Sequence, residues 1–325
     1  GLALVKQLIE KADVMIENFA PGVIERLGLG YKEVKAINPN IIYAQVKGFA
    51  EGGPYEKFLS FDMIGQAAGG IMSITGEPDG RPLKPGTTLG DTGTGMLMAI
   101  SILGALYQKK ETGEGQRLTV AMQDAMLQYA RLAFSDTMKT GKPTARAGEG
   151  VVTGGNAPMG LFPCKPGGPN DYVYIYVNRA NNRQWHRLLE VMGHSELIGD
   201  ERFETARDRF TRKDEINGML EPWTMTRTKA EAMEIIGGAG VPCSAVYDTV
   251  ELQDNPDFEA RGIFQWIEHP TRGRVKMPAW PGQMSGNEVK VEPAPLLGQH
   301  NEDVLGDWLG LSDDEIAKLK VEGAV

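Results

Sequence analysis

Residues 31–48 carry the pattern that decides the fold, Tyr31-Lys-Glu-Val-Lys-Ala-Ile-Asn-Pro-Asn-Ile-Ile-Tyr-Ala-Gln-Val-Lys-Gly48. A helix is predicted over 31–38, because the proline that follows disfavours helical geometry in the residue before it. The mostly apolar run 41–47 then predicts a buried strand closed by a glycine. Upstream, residues 1–12 have helical periodicity and residues 13–17 form another short apolar run. Helices that alternate with short apolar strands indicate a parallel sheet covered by helices.

The rest of the chain continues this alternation and then changes character. Residues 90–95, Gly-Asp-Thr-Gly-Thr-Gly, lead into an apolar helix over 96–110, a strand over 117–122 and a long helix over 124–140. Residues 141–171 are rich in glycine and proline, which predicts the main boundary there. We expect a large domain over residues 1–150, a smaller α+β domain over residues 151–255, and a linker and tail over residues 256–325 that returns to the large domain.

Composition excludes several classes of protein. The chain has 325 residues and a net charge of −9, which argues against a nucleic-acid-binding surface. Its two cysteines cannot form a disulfide framework. The apolar stretch 96–106 is about half the length of a membrane span. We therefore expect a cytoplasmic protein with no membrane and no nucleic-acid partner. The chain starts within a helical pattern and without methionine, so it is expected to begin inside a fold.

Few residues are suited to metal or nucleotide chemistry. The four histidines lie at no metal-ligand spacing from one another or from a cysteine, so no metal site is expected. The sequence contains no G-x-S-x-G, no Walker A and no G-x-G-x-x-G before a helix. Carboxylates and backbone groups remain as the candidates for catalysis.

Asp91 is the carboxylate that the pattern singles out. Gly90 and Gly93 flank it, and an apolar helix follows. An aspartate at this place is by default an N-cap, which accepts hydrogen bonds from helix N–H groups. The same position also suits a nucleophile, because the helix dipole favours the ionised carboxylate and the glycines let a substrate approach. Asp124 starts a helix in the same way and is predicted to be a cap.

Motifs spread over nearly the whole chain resemble the class III CoA-transferases, the CaiB/BaiF family. They are Asp13-Val-Met-Ile-Glu-Asn-Phe-Ala-Pro-Gly, Arg26-Leu-Gly, Asn38-Pro-Asn-Ile-Ile-Tyr-Ala, Lys47-Gly-Phe, Leu89-Gly-Asp-Thr-Gly-Thr-Gly, Lys110-Glu-Thr-Gly-Glu-Gly-Gln, Val120-Ala-Met-Gln-Asp-Ala, Gly238-Ala-Gly-Val-Pro-Cys-Ser-Ala-Val, Asp254-Asn-Pro and Ala294-Pro-Leu-Leu-Gly-Gln-His.

The resemblance implies a fold, a reaction and a set of site residues. The fold is α/β, with a Rossmann-like parallel sheet in the large domain, a smaller α+β domain and an interlocked homodimer. Asp91 is the implied nucleophile, which forms an aspartyl anhydride and then an aspartyl-CoA thioester. No cofactor is implied, since the CoA thioester is a substrate. The implied CoA-binding residues are Asn18, Phe19, Ala20 and Arg26, together with Leu59, Ser60, Phe61 and Asp62.

This chain departs from the family pattern in two places, and two other functions stay open. The family's N-terminal portion is expected to be missing, and the glycine flap near 154–160 is shortened. The expected substrates are an acyl-CoA donor and a carboxylic acid of the formyl-CoA and oxalate type, or a related small acid. An acyl-CoA racemase of the same fold is one alternative, but no histidine precedes residue 186. A non-catalytic CoA-binding fragment is the other.

Overall fold

The computed structural model describes residues 1–152 and 155–325, and these form two compact units. The first unit comprises residues 1–148 and 295–325, and the second comprises residues 149–294. Residues 256–294, which the sequence assigns to the linker and tail, thus fall in the second unit. Residues 295–325 fall in the first.

A three-stranded parallel sheet forms the centre of the first unit. Its strands are β1 (Val14–Glu17), β2 (Ile42–Lys47) and β3 (Arg117–Ala121), in the order β1-β2-β3. Val14 pairs with Ile42 and Tyr43 pairs with Arg117. The predicted parallel sheet is confirmed. Since all three strands point the same way, their carboxyl ends meet at one edge of the sheet, where ligands bind in open α/β sheets.

Helices surround this sheet. The helices of the first unit are α1 (Leu2–Lys11), α2 (Val23–Arg26), α3 (Tyr31–Ile37), α4 (Asp62–Ala68), α5 (Leu89–Thr112), α6 (Met122–Tyr129), α7 (Arg131–Thr140), α14 (Asn301–Asp303) and α15 (Asp313–Val321), with a 3₁₀ turn at Met72–Ile74 and a π-helical turn at Val304–Trp308. Of these, α5 packs against β2 and β3 while α6 packs against β3. The helix predicted over 124–140 is in fact two, α6 and α7. The N-cap of α6 is Ala121, and Asp124 lies in the first turn without capping it, so the cap predicted for Asp124 is wrong.

The core of the first unit explains why these elements form. Ile9, Ile24, Val34 and Ile41 come from four segments and pack together with Tyr43. Burying an aliphatic side chain of this size stabilises a fold by about 1.5–3 kcal/mol. The buried Tyr43 hydroxyl donates to the Leu29 carbonyl oxygen at 2.8 Å, which satisfies its polar group. Burial raises the pKa of Tyr43, with the Glu17 carboxylate as the next cause.

Helix α5 is longer than the sequence predicts. It begins at Leu89 rather than at residue 96 and runs for 24 residues. By length and composition it could cross a membrane, with 28% of the apolar window buried, so the expectation that this segment is too short for a span is wrong. A core helix meets the same criteria, and α5 packs against β2 and β3. One of its faces, however, remains exposed at Met96, Ile100, Leu103 and Tyr107.

The second unit has its own sheet and core. An antiparallel sheet orders β4 (Met159–Pro163), β5 (Tyr172–Tyr176) and β6 (Cys243–Ala245), and a hairpin joins β7 (Phe264–His269) to β8 (Gly273–Pro278). The helices are α8 (Arg183–Met192), α9 (Ala206–Thr211), α10 (Lys213–Met225), α11 (Lys229–Gly238), α12 (Thr249–Gln253) and α13 (Pro256–Ala260), with 3₁₀ turns at Ser195–Leu197 and Glu201–Phe203. Trp185, Phe203 and Leu220 are buried in its core. The predicted α+β character of this part is what the structure has.

Candidate active site

A cavity of about 630 Å³ lies at the carboxyl edge of the parallel sheet. Glu17 is the last residue of β1, Lys47 is the last of β2, and Met122 directly follows β3. The lining residues come from these strand ends, from two loops and from the first turns of α5: Ile16, Glu17, Asn18, Phe19, Ala20, Pro21, Val46, Lys47, Gly48, Phe58, Leu59, Ser60, Phe61, Asp91, Gly95 and Met122. Its volume is typical of a small-molecule site.

The structure brings most of the predicted site residues to this one cavity. Its lining contains the candidate nucleophile together with the predicted CoA-contacting residues Asn18, Phe19, Ala20, Leu59, Ser60 and Phe61. Arg26 and Asp62 are not among the lining residues. Segments that are far apart in the sequence therefore converge on Asp91.

Asp91 lies in the first turn of α5 and is exposed. The helix begins at Leu89 after Thr88, so Asp91 is its third residue and not its N-cap. The cap that the pattern favours by default is therefore wrong, because the helix starts earlier than predicted. A carboxylate in the first turn is stabilised in its ionised form by the helix dipole. Among the residues that the structure describes, no hydrogen bond to the Asp91 carboxylate is found.

Asp62, and not Asp91, caps the start of α5. Its buried carboxylate accepts the Gly90 N–H at 2.8 Å and the Asp91 N–H at 3.4 Å. Gln66 donates to both Asp62 oxygens at 2.9 Å, and the Lys84 ammonium lies 3.5 Å away. Burial alone would raise the pKa of Asp62, but these hydrogen bonds and the lysine charge outweigh it and lower that pKa. Asp62 thereby fixes the backbone that carries Asp91.

Gly95 keeps the helix surface next to Asp91 free of side chains. It lies one turn after Asp91, is exposed and lines the cavity. A Cβ placed on Gly95 would meet no atom within 4 Å. The space beside the carboxylate is therefore open to a substrate, and a larger side chain at this position would enter it.

The loop that contains Leu59, Ser60 and Phe61 approaches the end of β2 closely. A Cβ on Gly48 would lie 2.1 Å from the Ser60 Cβ, so only glycine fits there. The Ser60 hydroxyl lies 3.7 Å from the Met122 Sδ atom, which joins the loop to the start of α6. Leu59 and Phe61 remain about 70% exposed, which leaves two apolar side chains at the cavity.

Arg26 is exposed on α2 and is not among the residues that line the cavity. Its Nη1 atom lies 3.0 Å from the point that a Cβ on Gly22 would occupy. Gly22 has a φ of +75° and follows the lining residue Pro21. The left-handed turn at Gly22 therefore connects the lining residue Pro21 to helix α2, which carries Arg26.

The shortened glycine flap lies partly outside the described residues, because it begins at Gly154. Of its other residues, Gly155 packs against the Phe210 ring so closely that a Cβ would overlap that ring. The Asn156 side-chain amide donates to the Val177 carbonyl oxygen. These contacts lie within the second unit.

Sequence reasoning missed Glu17, Lys47, Gly95 and Met122 as parts of the site. A signal for three of them was present, since Glu17, Lys47 and Met122 stand at the ends of the predicted strands. Carboxyl ends of parallel strands meet at one edge, so the residues at those ends were candidates. Gly95 could not be found in this way, because its place depends on the true start of α5.

Comparison with known proteins gives one consistent result. A family model described as CoA-transferase family III matches residues 1–301. A formyl-CoA:oxalate CoA-transferase from Streptomyces coelicolor is 39% identical over 336 aligned positions, which cover all of this chain and 81% of the relative. The enzyme of the same description from Streptomyces avermitilis is 37% identical over the same shares.

Solved structures agree with these sequence relatives. A CAIB/BAIF family protein from Brucella suis matches with a TM-score of 0.81 at 31% identity, over 95% of this chain and 78% of that one. The Rv3272 protein of Mycobacterium tuberculosis matches with a TM-score of 0.76 at 22% identity, over 92% of this chain and 79% of that one. The second likeness concerns the fold alone.

Proposed function

The chain belongs to CoA-transferase family III, as its motifs predict, and from this premise we propose that Asp91 is its catalytic nucleophile. The enzyme is a CoA-transferase, which moves CoA from an acyl-CoA donor to a carboxylic acid. One observation carries the assignment of Asp91. Its exposed carboxylate stands in the wall of the cavity, in the first turn of α5, with open space at Gly95 beside it.

The proposed reaction proceeds by covalent catalysis. An Asp91 oxygen attacks the thioester carbonyl carbon, the C–S bond breaks, and an aspartyl–acyl anhydride and CoA thiolate form. The thiolate then attacks the aspartyl carbonyl carbon, which releases the donor acid and leaves an aspartyl-CoA thioester. The acceptor carboxylate attacks this thioester, and the two steps run in reverse to give the new acyl-CoA and free Asp91. Each step exchanges one bond to a carbonyl carbon and needs no oxidant or reductant.

The surroundings of Asp91 support this chemistry. The start of α5 favours negative charge, both on the attacking carboxylate and on the oxyanion of each tetrahedral intermediate. Asp62 holds the backbone at Gly90 and Asp91, so the nucleophile starts from a fixed position. We assign CoA contacts to Asn18, Phe19, Ala20, Leu59, Ser60 and Phe61, whose side chains or backbone line the same cavity. Asp62 contributes to the site by holding the start of α5 through its hydrogen bonds to Gly90 and Asp91.

The substrates are proposed by analogy with the relatives. Several of them are described as formyl-CoA:oxalate CoA-transferases at 35–39% identity. We propose formyl-CoA or another short acyl-CoA as the donor and oxalate or a related small acid as the acceptor, in a cytoplasmic enzyme. The chemistry is assigned to the large domain, residues 1–150.

Incubation with a panel of acyl-CoA donors, followed by intact mass spectrometry, tests the proposal. A transferase gains the mass of CoA less water, and it loses that adduct when a carboxylic acid acceptor is added. A racemase would instead exchange the α-proton of a chiral acyl-CoA without any adduct. If every donor leaves the protein mass unchanged and none yields a new acyl-CoA, the proposed mechanism is wrong.

Arg26 is proposed to bind a CoA phosphate, because a guanidinium matches phosphate oxygens in a two-point contact. We expect Arg26→Ala to weaken CoA binding by about 1.5–3 kcal/mol, the range for a hydrogen bond to a charged group. Thermal stability should hardly change, since Arg26 is exposed. Calorimetric titration with CoA and a melting curve measure both. A large fall in melting temperature with unchanged CoA affinity would assign Arg26 a structural role instead.

We propose that the protein is an interlocked homodimer. The apolar face of α5 supports this, because Ile100, Leu103 and Tyr107 are each more than 60% exposed and follow one another at helical spacing. A contiguous exposed apolar patch of this kind marks an interaction surface. Sedimentation velocity at micromolar concentration should show a dimer. A single monomeric species over the whole concentration range would contradict the proposal.

A further inference from the structure

A buried ion pair lies beneath the loop formed by residues 18–20. Glu17, at the end of β1, has a side chain that is only 1% exposed, and Lys47, at the end of β2, has one that is 15% exposed. The Lys47 ammonium lies 2.7 Å from Glu17 Oε1 and 3.0 Å from Oε2. Both residues line the cavity that contains Asp91.

The ion pair holds both backbone polar groups of Phe19. The Phe19 N–H donates to Glu17 Oε2 at 2.8 Å, and Lys47 Nζ donates to the Phe19 carbonyl oxygen at 3.0 Å. A surface loop normally satisfies such groups with water, which leaves it mobile. Here two charged side chains from neighbouring strands fix a single residue in the middle of the loop.

Two further side chains, those of Gln45 and Arg117, extend the hydrogen-bond network of Glu17. The Gln45 Nε2 group donates to Glu17 Oε1 at 2.7 Å, and Gln45 Oε1 accepts from Arg117 Nε at 2.7 Å. Because the arginine has only donors, it determines which end of the Gln45 amide faces Glu17. The Glu17 carboxylate thus has three donors, which compensates for its burial.

We propose that Glu17 and Lys47 are positioning residues that hold the loop 18–20 in its CoA-binding conformation. This inference rests on the proposed function, which assigns CoA contacts to that loop. The ion pair acts through Phe19 and takes no part in bond making. A loop that is ordered before binding costs less free energy to fix in the complex, so the pair raises the affinity for acyl-CoA rather than the rate of the chemical step.

The double variant Glu17→Gln/Lys47→Met tests this, because it leaves neither buried charge unpaired. We expect the KM for the acyl-CoA donor to rise about tenfold, while kcat stays within about twofold. Amide hydrogen exchange should accelerate at residues 18–20 and stay unchanged in β2 and β3. If the double variant does not fold, Glu17→Asp keeps the charge and shortens its reach to the Phe19 N–H, with changes expected in the same direction.

Lys109→Met is the matched control. Lys109 also forms an ion pair at 2.8 Å, with Asp13, and its side chain is 19% exposed, but it lies outside the cavity lining. This variant should keep the wild-type KM and the wild-type exchange at residues 18–20.

Four results are distinguishable. A selective rise in KM with faster exchange confined to the loop supports the inference. If the wild type transfers CoA and the double variant keeps the wild-type KM and the wild-type exchange, the inference is overturned. Faster exchange across the whole sheet in the double variant would also overturn it. If the wild type forms no CoA adduct, the proposed function fails, and the exchange measurement still shows whether the pair orders the loop.

Discussion

Asp91→Asn should remove CoA transfer and leave the fold and the binding of CoA intact. Turnover should fall by roughly 10³-fold or more, as expected when a covalent nucleophile is lost. The amide of asparagine is uncharged and cannot form the anhydride. The fold should lose only about 0.3–1 kcal/mol, the stabilisation that a charged side chain gains from the helix dipole in the first turn. Steady-state transfer, CoA titration and a melting curve check the three statements.

Asp124→Asn is the matched control for this prediction. Asp124 is also an exposed third residue of a helix, α6, and it does not line the cavity. Both variants lose the same charge at the same helical position, so they should have similar melting temperatures. Only Asp91→Asn should lose transfer. Substantial turnover by Asp91→Asn would show that the nucleophile is another residue.

Gly95→Leu should abolish transfer while making the protein slightly more stable. The leucine side chain would enter the open space beside Asp91, because a Cβ at this position meets no atom within 4 Å apart from its chain neighbours and the backbone of its own helix. Displacing a substrate by even about 1 Å costs on the order of 100-fold in rate. Replacing glycine within a helix should add about 0.5–1 kcal/mol to the free energy of unfolding. Transfer kinetics and chemical denaturation measure the two effects.

Gly218→Leu separates the two effects. Gly218 lies within another helix, α10, is exposed, and a Cβ on it would likewise meet no atom within 4 Å, but it does not line the cavity. It should gain a similar stability and keep wild-type transfer. If Gly95→Leu transfers CoA as well as Gly218→Leu does, the substrate does not occupy the space beside Asp91.

The sequence predicts the central strand of the parallel sheet, β2, well because most of that strand is buried on both faces. Residues 42–45 are all buried, so the strand appears as a continuous mostly apolar run with clear ends. The glycine after Lys47 and the proline after Asn38 mark those ends in the sequence. The family resemblance then singles out Asp91 as the proposed nucleophile, which residue pattern alone could not distinguish from a cap.

Helix boundaries are predicted less well, and for a physical reason. The apolar pattern of α5 starts at Met96, whereas its first turns consist of Gly, Asp and Thr, which are poor helix formers. Those turns form because Asp62, almost thirty residues earlier, accepts the hydrogen bonds of Gly90 and Asp91. Such a long-range cap leaves no local signal at residue 89.

The ion pair between Glu17 and Lys47 also cannot be predicted from local sequence patterns. Glu17 and Lys47 look like ordinary charged residues at strand ends, and their pairing depends on the register that places β1 beside β2. Glu17 is opposite Gln45 in that register, which explains their direct hydrogen bond. Strand order is therefore needed before these residues can be assigned any role.

Peptide mapping of the CoA adduct tests the central claim most directly. The protein is incubated with the acyl-CoA donor that gives an adduct, then quenched, digested and sequenced by tandem mass spectrometry. We expect a CoA thioester on the Asp91 carboxyl group, absent from Asp91→Asn and lost when a carboxylic acid acceptor is added. An adduct on any other residue, or one that persists in Asp91→Asn, would contradict it.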